Sequence, residues 1–271
     1  MLNLPQNPKW DIARVSHSTL VHADCFDVFP FIEDKSIDAI ICDLPYGTTA
    51  CKWDNIIPFE PLWAQYKRII KDNGAIVLFG SQPFTSALVM SNPKWFKYEL
   101  IWEKSNPTGM GQANKRPMKY HEDICVFYLK QPTYNKQMIP RLNKSMEQHI
   151  INKGKFNVSS KQTGNQQSIA YKEIPADRYS ATEKNPSSII KINSLRANSK
   201  EWCEHPTQKP LALMEWIVKT YTNEGETVLD NTMGSGTTNL ACLKLNRKSI
   251  GIEKEKQYYD VAVRRLSSYC G

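Results

Sequence analysis

The chain has 271 residues, with 35 Lys and Arg against 27 Asp and Glu, for a formal charge of +8. No apolar run approaches the ~18–20 residues of a membrane helix, and residues 1–10 lack the apolar centre of a signal peptide, so a cytosolic protein without a membrane partner is expected. Seven cysteines, odd in number and without a C-x-x-C pair, argue against a disulfide framework or a structural zinc site.

In chain order, residues 19–22 read as a short strand ending at Ala23-Asp24-Cys25, and residues 26–32 as a brief amphipathic helix. Residues 37–42 are an apolar, β-branched run of the kind that forms a buried strand, and they deliver Asp43-Leu44-Pro45-Tyr46 to its exit. Ligands of open α/β sheets bind outside the carboxyl ends of the strands. Pro45 stiffens this exit and biases Leu44 to an extended backbone, which aims the Leu44 carbonyl outward. Asp43 and that carbonyl offer two acceptors beside the Tyr46 ring. Such a set suits a planar ring bearing an exocyclic NH2, as in adenine or cytosine. Taken alone, the tetrapeptide also reads as an ordinary Asp-x-Pro turn followed by a packing tyrosine.

Residues 61–71 have helical spacing, with Gly74 as the expected C-cap. A buried strand follows at 75–79, then a helix with Pro83 in its first turn running to about residue 90. Residues 98–102 and 122–129 read as strands, and the Gly-, Pro-, Asn- and Lys-rich stretch 104–120 as a long loop. The alternation predicts a parallel-rich α/β architecture.

Between residues 130 and 200 the periodicity dissolves. Thirteen Lys or Arg stand against four Asp or Glu, so this segment carries +9 and the remainder about −1. A concentrated positive charge is the footprint of a polyanionic partner. Tyr134, Phe156, Tyr171 and Tyr179 are interleaved with the basic residues, a mixture suited to phosphate and ring contacts. A solvated linker is the plainer reading of the same composition.

Order returns at His205-Pro206-Thr207-Gln208-Lys209-Pro210, ahead of a helix over 211–221 whose start favours an anion, with Thr207 and Lys209 placed to hold a carboxylate. The stretch Thr227-Val228-Leu229-Asp230-Asn231-Thr232-Met233-Gly234-Ser235-Gly236-Thr237-Thr238 reads as a strand entering a glycine loop, followed by a helix over 239–245 and a strand at 248–253 that ends in Glu253. Strand, glycine loop, helix, strand and acid outline a nucleoside-binding βαβ unit, the acid taking ribose hydroxyls. Asn239 breaks the dinucleotide G-x-G-x-x-G pattern, and Asp230 at the mouth of the loop repels a pyrophosphate while favouring a cation. Charge therefore selects S-adenosylmethionine, with its sulfonium and ammonium groups, over NAD.

Together, Asp-Leu-Pro-Tyr at 43–46 and Leu-Asp-Asn-Thr-Met-Gly-Ser-Gly-Thr-Thr at 229–238 resemble the amino-methyltransferases of DNA, which modify adenine N6 or cytosine N4. The catalytic tetrapeptide precedes the cofactor loop, as in the β group of that family. The resemblance covers about residues 20–130 and 203–266 and implies a Rossmann-like methyltransferase sheet with helices on both faces. On this reading residues 1–129 and 201–271 are the two halves of one core, and 130–200 is an irregular target-recognition insert.

The resemblance also assigns roles. Asp43 and the Leu44 carbonyl hold the target amine, Pro45 shapes the turn, and Tyr46 stacks on the flipped base. His205, Thr207 and Lys209 border the methionine end of the cofactor, and Asp43 is counted among the cofactor-binding residues as well. Asp230, Met233, Gly234, Ser235, Gly236 and Thr237 form the cofactor loop, Glu253 takes the ribose, and Asp24 and Phe84 meet the cofactor adenine. Asn231 and Thr232 depart from the family's usual Pro and Phe, which bears on cofactor affinity.

The expected function is direct methyl transfer from S-adenosylmethionine to adenine N6 in double-stranded DNA, with the base rotated out of the duplex. A bacterial or phage setting, a companion restriction endonuclease, and a monomer or homodimer go with it. The alternatives are a cytosine-N4 enzyme, a dehydrogenase on the same βαβ unit, and a non-catalytic DNA-binding protein.

Overall fold

In the structure, a computed structural model, residues 10–48, 51, 53–140, 182–196, 198–203 and 205–270 are described. An antiparallel hairpin, β1 (Asp11–Val15) and β2 (Ser18–His22), comes first. Then α1 (Cys25–Val28) and a single 3-10 turn (Phe29–Phe31) lead to β3 (Ile37–Cys42). Next come α2 (Phe59–Ile69), β4 (Ile70–Gly80), α3 (Phe84–Ser91), β5 (Phe96–Thr108) and β6 (Lys119–Phe127). The short strands β7 (Ile139–Pro140) and β8 (Glu183–Lys184) form a ladder of their own. The chain continues through β9 (Ile189–Lys191), α4 (Leu211–Tyr221), β10 (Thr227–Asp230), α5 (Thr237–Lys244), β11 (Lys248–Glu253) and α6 (Lys256–Cys270).

Two units emerge from the contacts, residues 1–135 with 188–271, and residues 136–187. The first holds a nine-stranded sheet in the order β1-β2-β11-β10-β3-β4-β6-β5-β9. The five strands from β2 to β4 are parallel, β6 runs antiparallel to both β4 and β5, and β9 pairs in parallel with β5. In the second unit the β7–β8 ladder is the ordered element among the described residues. Of the aromatic residues in the basic stretch, Phe156, Tyr171 and Tyr179 lie outside the described residues.

Alternation along the strands splits the core between two faces. Ile40 and Cys42 of β3, with Ile76 and Leu78 of β4, pack under α2 and α3 through Leu62, Trp63, Tyr66, Phe84 and Leu88. Ala39, Ile41, Ala75 and Val77 face the other way, onto Leu213, Met214, Ile217 and Val218 of α4. A period of two in the strands and of 3.6 in the helices makes this double burial possible. Helices therefore cover both faces, the Rossmann-like arrangement expected from the sequence. Among the described residues, no helix is long and apolar enough to cross a membrane.

The predicted elements differ from the observed ones where tertiary pairing overrides local chemistry. Gly74 caps no helix; α2 ends at Ile69 and Gly74 lies inside β4. A Cβ there would come within 2.7 Å of the Ile70 side chain and 2.8 Å of the Asp38 carbonyl, so the close strand approach is what needs glycine. The stretch 104–120 is not all loop, because β5 extends to Thr108 and β6 begins at Lys119. Residues 26–32 divide into α1 and the 3-10 turn. Residues 130–135 and 188–200 group with the sheet rather than with a separate insert. For example, the Asn135 N–H donates to the Thr220 carbonyl at 2.8 Å, and β9 pairs with β5.

Candidate active site

The carboxyl ends of the parallel strands converge on one cavity of about 1480 Å³. β3 and β10 are direct neighbours, with Ala39 opposite Val228 and Ile40 opposite Leu229. The chain leaves β3 toward one side of the sheet and β10 toward the other, so a crevice opens between their ends. Asp43 and Asp230 thus emerge side by side from segments almost 190 residues apart. Several bonds bind the two exits together. The Thr232 hydroxyl donates to the Asp43 carbonyl at 3.1 Å, and the Tyr66 hydroxyl and Cys42 thiol both donate to Asn231 Oδ1, at 2.5 and 3.0 Å. Asn231 and Thr232, which stand where the resemblance would place Pro and Phe, are the residues that make these ties.

The catalytic half of the cavity is a charged chain. The Asp43 carboxylate accepts from the Tyr46 hydroxyl at 2.5 Å and forms an ion pair with Lys209. Lys209 also lies 3.4 Å from Glu122 of β6, and Glu122 is 3.0 Å from Lys104 of β5. Burial raises the Asp43 carboxyl above the usual carboxylate range; Lys209 opposes this and Glu122 adds to it. Burial works against the Lys209 charge too, but the two carboxylates outweigh it and hold the ammonium protonated. Leu44 turns its side chain into the core at 3% exposure, while Leu44, Pro45 and Tyr46 line the cavity.

In the other half, the Glu253 carboxylate accepts the Gly234 and Glu255 N–H groups, each at 2.8 Å. Each oxygen keeps a further lone pair, so a diol can still be bound. Asp230 is 4% exposed and accepts the Thr232 N–H at 3.2 Å. Burial pushes its carboxyl up to about 7, with Asp43 and Glu253 adding repulsion. His205 is buried and neutral, its pKa pushed down to about 4 by burial and then by Lys209 and Arg265. Its ring lies 4.2 Å from Tyr258 and 6.0 Å from Trp53, and it accepts the Thr207 N–H at 3.3 Å. Gly234 sits beneath this ring.

Asp24, Asp43, His205, Thr207, Lys209, Asp230, Met233, Gly234, Ser235, Thr237 and Glu253 all line the one cavity. Asp24 also caps α1, accepting the Phe26 N–H at 3.0 Å. Two expected contacts fall elsewhere. Phe84 is buried behind the cavity wall, 5.0 Å from the Tyr46 ring and 5.6 Å from Phe59, so it supports Tyr46 instead of facing a ligand. Gly236 turns toward α6, where a Cβ would meet Ala262 at 2.9 Å. Lys209 holds the protein's own carboxylates rather than standing free for one on a cofactor.

Sequence reasoning passed over Glu122, Lys104, Trp53, Tyr258 and Arg265. Arg265 of α6 donates to the Ser235 carbonyl at 2.7 Å and to the Thr237 hydroxyl at 3.1 Å, bracing the glycine loop. Nothing in the local sequence marks these residues, since each acts on a loop distant in the chain.

The family model described as DNA methylase, of the N6/N4 type, matches residues 37–264. The type II methyltransferase M.HpaI of Haemophilus parainfluenzae is 28% identical over 92% of this chain and 74% of its own length. The DNA adenine methyltransferase YhdJ of Escherichia coli (strain K12) is 28% identical over 92% of this chain and 82% of its own. Among solved structures, the M1.HpyAVI-SAM complex superposes with a TM-score of 0.58 at 26% identity, covering 92% of this chain and 98% of that one.

Proposed function

The chain belongs to the N6/N4 DNA methylase family, and from that premise we propose that it transfers a methyl group from S-adenosylmethionine to the N6 amine of adenine in duplex DNA. The observation that carries this reading is the shared cavity, with an amine-accepting carboxylate at one end and a nucleoside-type loop at the other. Its volume of about 1480 Å³ exceeds the ~300–1,000 Å³ of an ordinary ligand site and suits a cofactor and a base together. A relative named as an adenine methyltransferase, and the leading Asp of the tetrapeptide, favour adenine over cytosine.

The residues present fit the cofactor. Asp230 is a buried carboxylate that gains most from a cation, Glu253 retains lone pairs for a diol, and the loop offers no lysine to a phosphate. When bound, S-adenosylmethionine supplies a methyl on a sulfonium, the carbon–sulfur bond breaking as the new carbon–nitrogen bond forms. The chain's own part is to orient the amine. The target base is rotated out of the duplex at a cost of a few kcal/mol, and stacking on Tyr46 offsets about 1–3 kcal/mol of that. Asp43 and the Leu44 carbonyl accept the amine hydrogens and turn the nitrogen lone pair out of conjugation, and the Asp43 carboxylate takes up the proton released. Positioning is the main catalytic effect. No thiol is needed as a nucleophile; burial holds Cys42 well above its ordinary pKa and pushes Cys25 up to about 12. Duplex DNA is the partner, and a restriction endonuclease of the same recognition sequence is the expected companion.

Incubation with mixed-sequence duplex DNA and cofactor, followed by digestion to nucleosides, tests the reading. N6-methyldeoxyadenosine is expected. N4-methyldeoxycytidine would move the target to cytosine, and DNA binding without either product would leave a non-catalytic binder.

Asp230 sets the pH dependence of cofactor binding. Its carboxyl titrates at about 7 in the free protein, and a bound cation favours the ionised form. Below pH 7 binding must therefore expel a proton, so affinity falls as pH falls, by up to about tenfold per unit; above it the affinity levels off. His205 stays neutral through this window. Calorimetric titration between pH 5.5 and 7.5 should show the slope in the native chain and lose it in Asp230→Asn.

A further inference from the structure

Behind the position of the target amine, four charges from four separate elements alternate in sign. Asp43 follows β3, Lys209 precedes α4, Glu122 lies on β6 and Lys104 on β5. Both lysine side chains are under a tenth exposed, at 9% and 5%. The chain is unevenly bonded. Glu122 Oε1 is satisfied by Lys104, whereas Glu122 Oε2 is buried with no well-formed hydrogen bond among the described residues. Its nearest cation, Lys209, stands off at 3.4 Å, longer than the ~2.7–2.9 Å of a charge-assisted bond.

The chemistry explains why an ammonium so near the amine needs a second carboxylate. The attacking nitrogen becomes positive as its new bond forms. Lys209 alone with Asp43 would cancel the one charge that stabilises this change, in a site where low polarity strengthens every such interaction. With Glu122 present, Lys209 is divided between two carboxylates. The four charges, Lys104 included, sum to zero, yet less of the Asp43 charge facing the amine is cancelled than in a Lys209–Asp43 pair alone.

We infer that Glu122 is a positioning residue for the transfer: it shares Lys209 with Asp43, and its unbonded oxygen receives Lys209 when the target amine docks on Asp43. This deepens the methyltransferase reading and rests on it. The groups that face Asp43 are Lys209, Tyr46 of its own loop, Glu122 with Lys104 behind it, and Asp230 of β10. Asp123, next to Glu122, is bonded to the Thr85 hydroxyl at 2.6 Å. Of these, Glu122 raises the proton affinity of Asp43 and Lys209 lowers it.

The test compares the full-length chain with Glu122→Gln, Lys209→Met and the double variant. Two readouts are taken across pH: single-turnover methyl transfer to DNA, and a ¹³C titration of labelled aspartates, with Asp43→Asn assigning the Asp43 signal. Glu122→Gln should slow transfer about 10²-fold at saturating substrates, with little change in KM. Its Asp43 titration and the acid limb of its rate profile should move to lower pH. Lys209→Met should move both to higher pH. The double variant should recover most of the rate lost in Glu122→Gln when compared above the Asp43 titration, because no ammonium is then left to cancel the Asp43 charge. A Glu122→Gln rate within twofold of the native chain, or a double variant slower than both singles, would overturn the inference. A native chain that transfers no methyl would instead remove the function it rests on, and the Asp43 titration would still decide how Lys209 is shared.

Discussion

Asp43→Asn is expected to slow methyl transfer by about 10³-fold, the upper range for deleting one preorganised electrostatic partner, while cofactor affinity stays within a few fold. The substitution keeps the shape of the side chain and removes its charge. Three consequences follow from the surroundings of Asp43. The amine loses its charged acceptor and its proton sink. The new amide NH2 or carbonyl must divide itself between the Tyr46 hydroxyl, now at 2.5 Å, and Lys209. Lys209 keeps a partner in Glu122, so no buried ammonium is left stranded and the fold survives. The cofactor loop depends on other bonds, those of Glu253, Asp230 and Arg265, and none of them passes through the Asp43 carboxylate. Single-turnover rates and equilibrium cofactor titration separate the two effects. A native rate in Asp43→Asn would remove the mechanism.

Gly234→Val is expected to weaken cofactor binding by about 10²-fold with DNA binding retained. Gly234 has φ +52, in the left-handed region that suits glycine, where another residue costs about 1–2 kcal/mol and a β-branched one more. A Cβ here would stand 2.9 Å from His205 Nε2 and 3.3 Å from Cε1. His205 has little room to retreat, since its ring packs on Tyr258 at 4.2 Å and is approached by Trp53. The strain is then relieved by moving the loop. That movement breaks the Gly234 N–H bond to Glu253, which orients the acid assigned to the ribose. Equal affinities for the native and variant chains would show that this loop does not hold the cofactor.

Much of the core was legible in the sequence, and the reasons are local. β3, α4 and β11 coincide with their predicted spans because buried β-branched runs and Pro210 mark them without help from the rest of the fold. Gly74 misled because a glycine after a helical pattern has the same local look whether it caps the helix or lets two strands close up. β5 and β6 run on into a Gly- and Pro-rich stretch because their mutual pairing outweighs weak propensity. The site divides in the same way. Asp43 and Asp230 announced themselves as acids at strand ends, but their adjacency depends on the parallel register of β3 and β10, which no local pattern encodes. Lys209 looked like a cation for a ligand, and only the folded chain reveals the carboxylates of Asp43 and Glu122 around it. Phe84 and Gly236 were in the right loops, yet their directions are set by Tyr46 and by α6.

The central claim is that one cavity holds the donor and the acceptor together. A bisubstrate adduct tests it most directly, with adenine N6 joined by a short carbon chain to the cofactor at the position of its sulfur. The account predicts that the adduct competes with S-adenosylmethionine and with DNA alike, and binds more tightly than either half alone. Competition with only one of the two, or simultaneous binding of the adduct and either substrate, would contradict it.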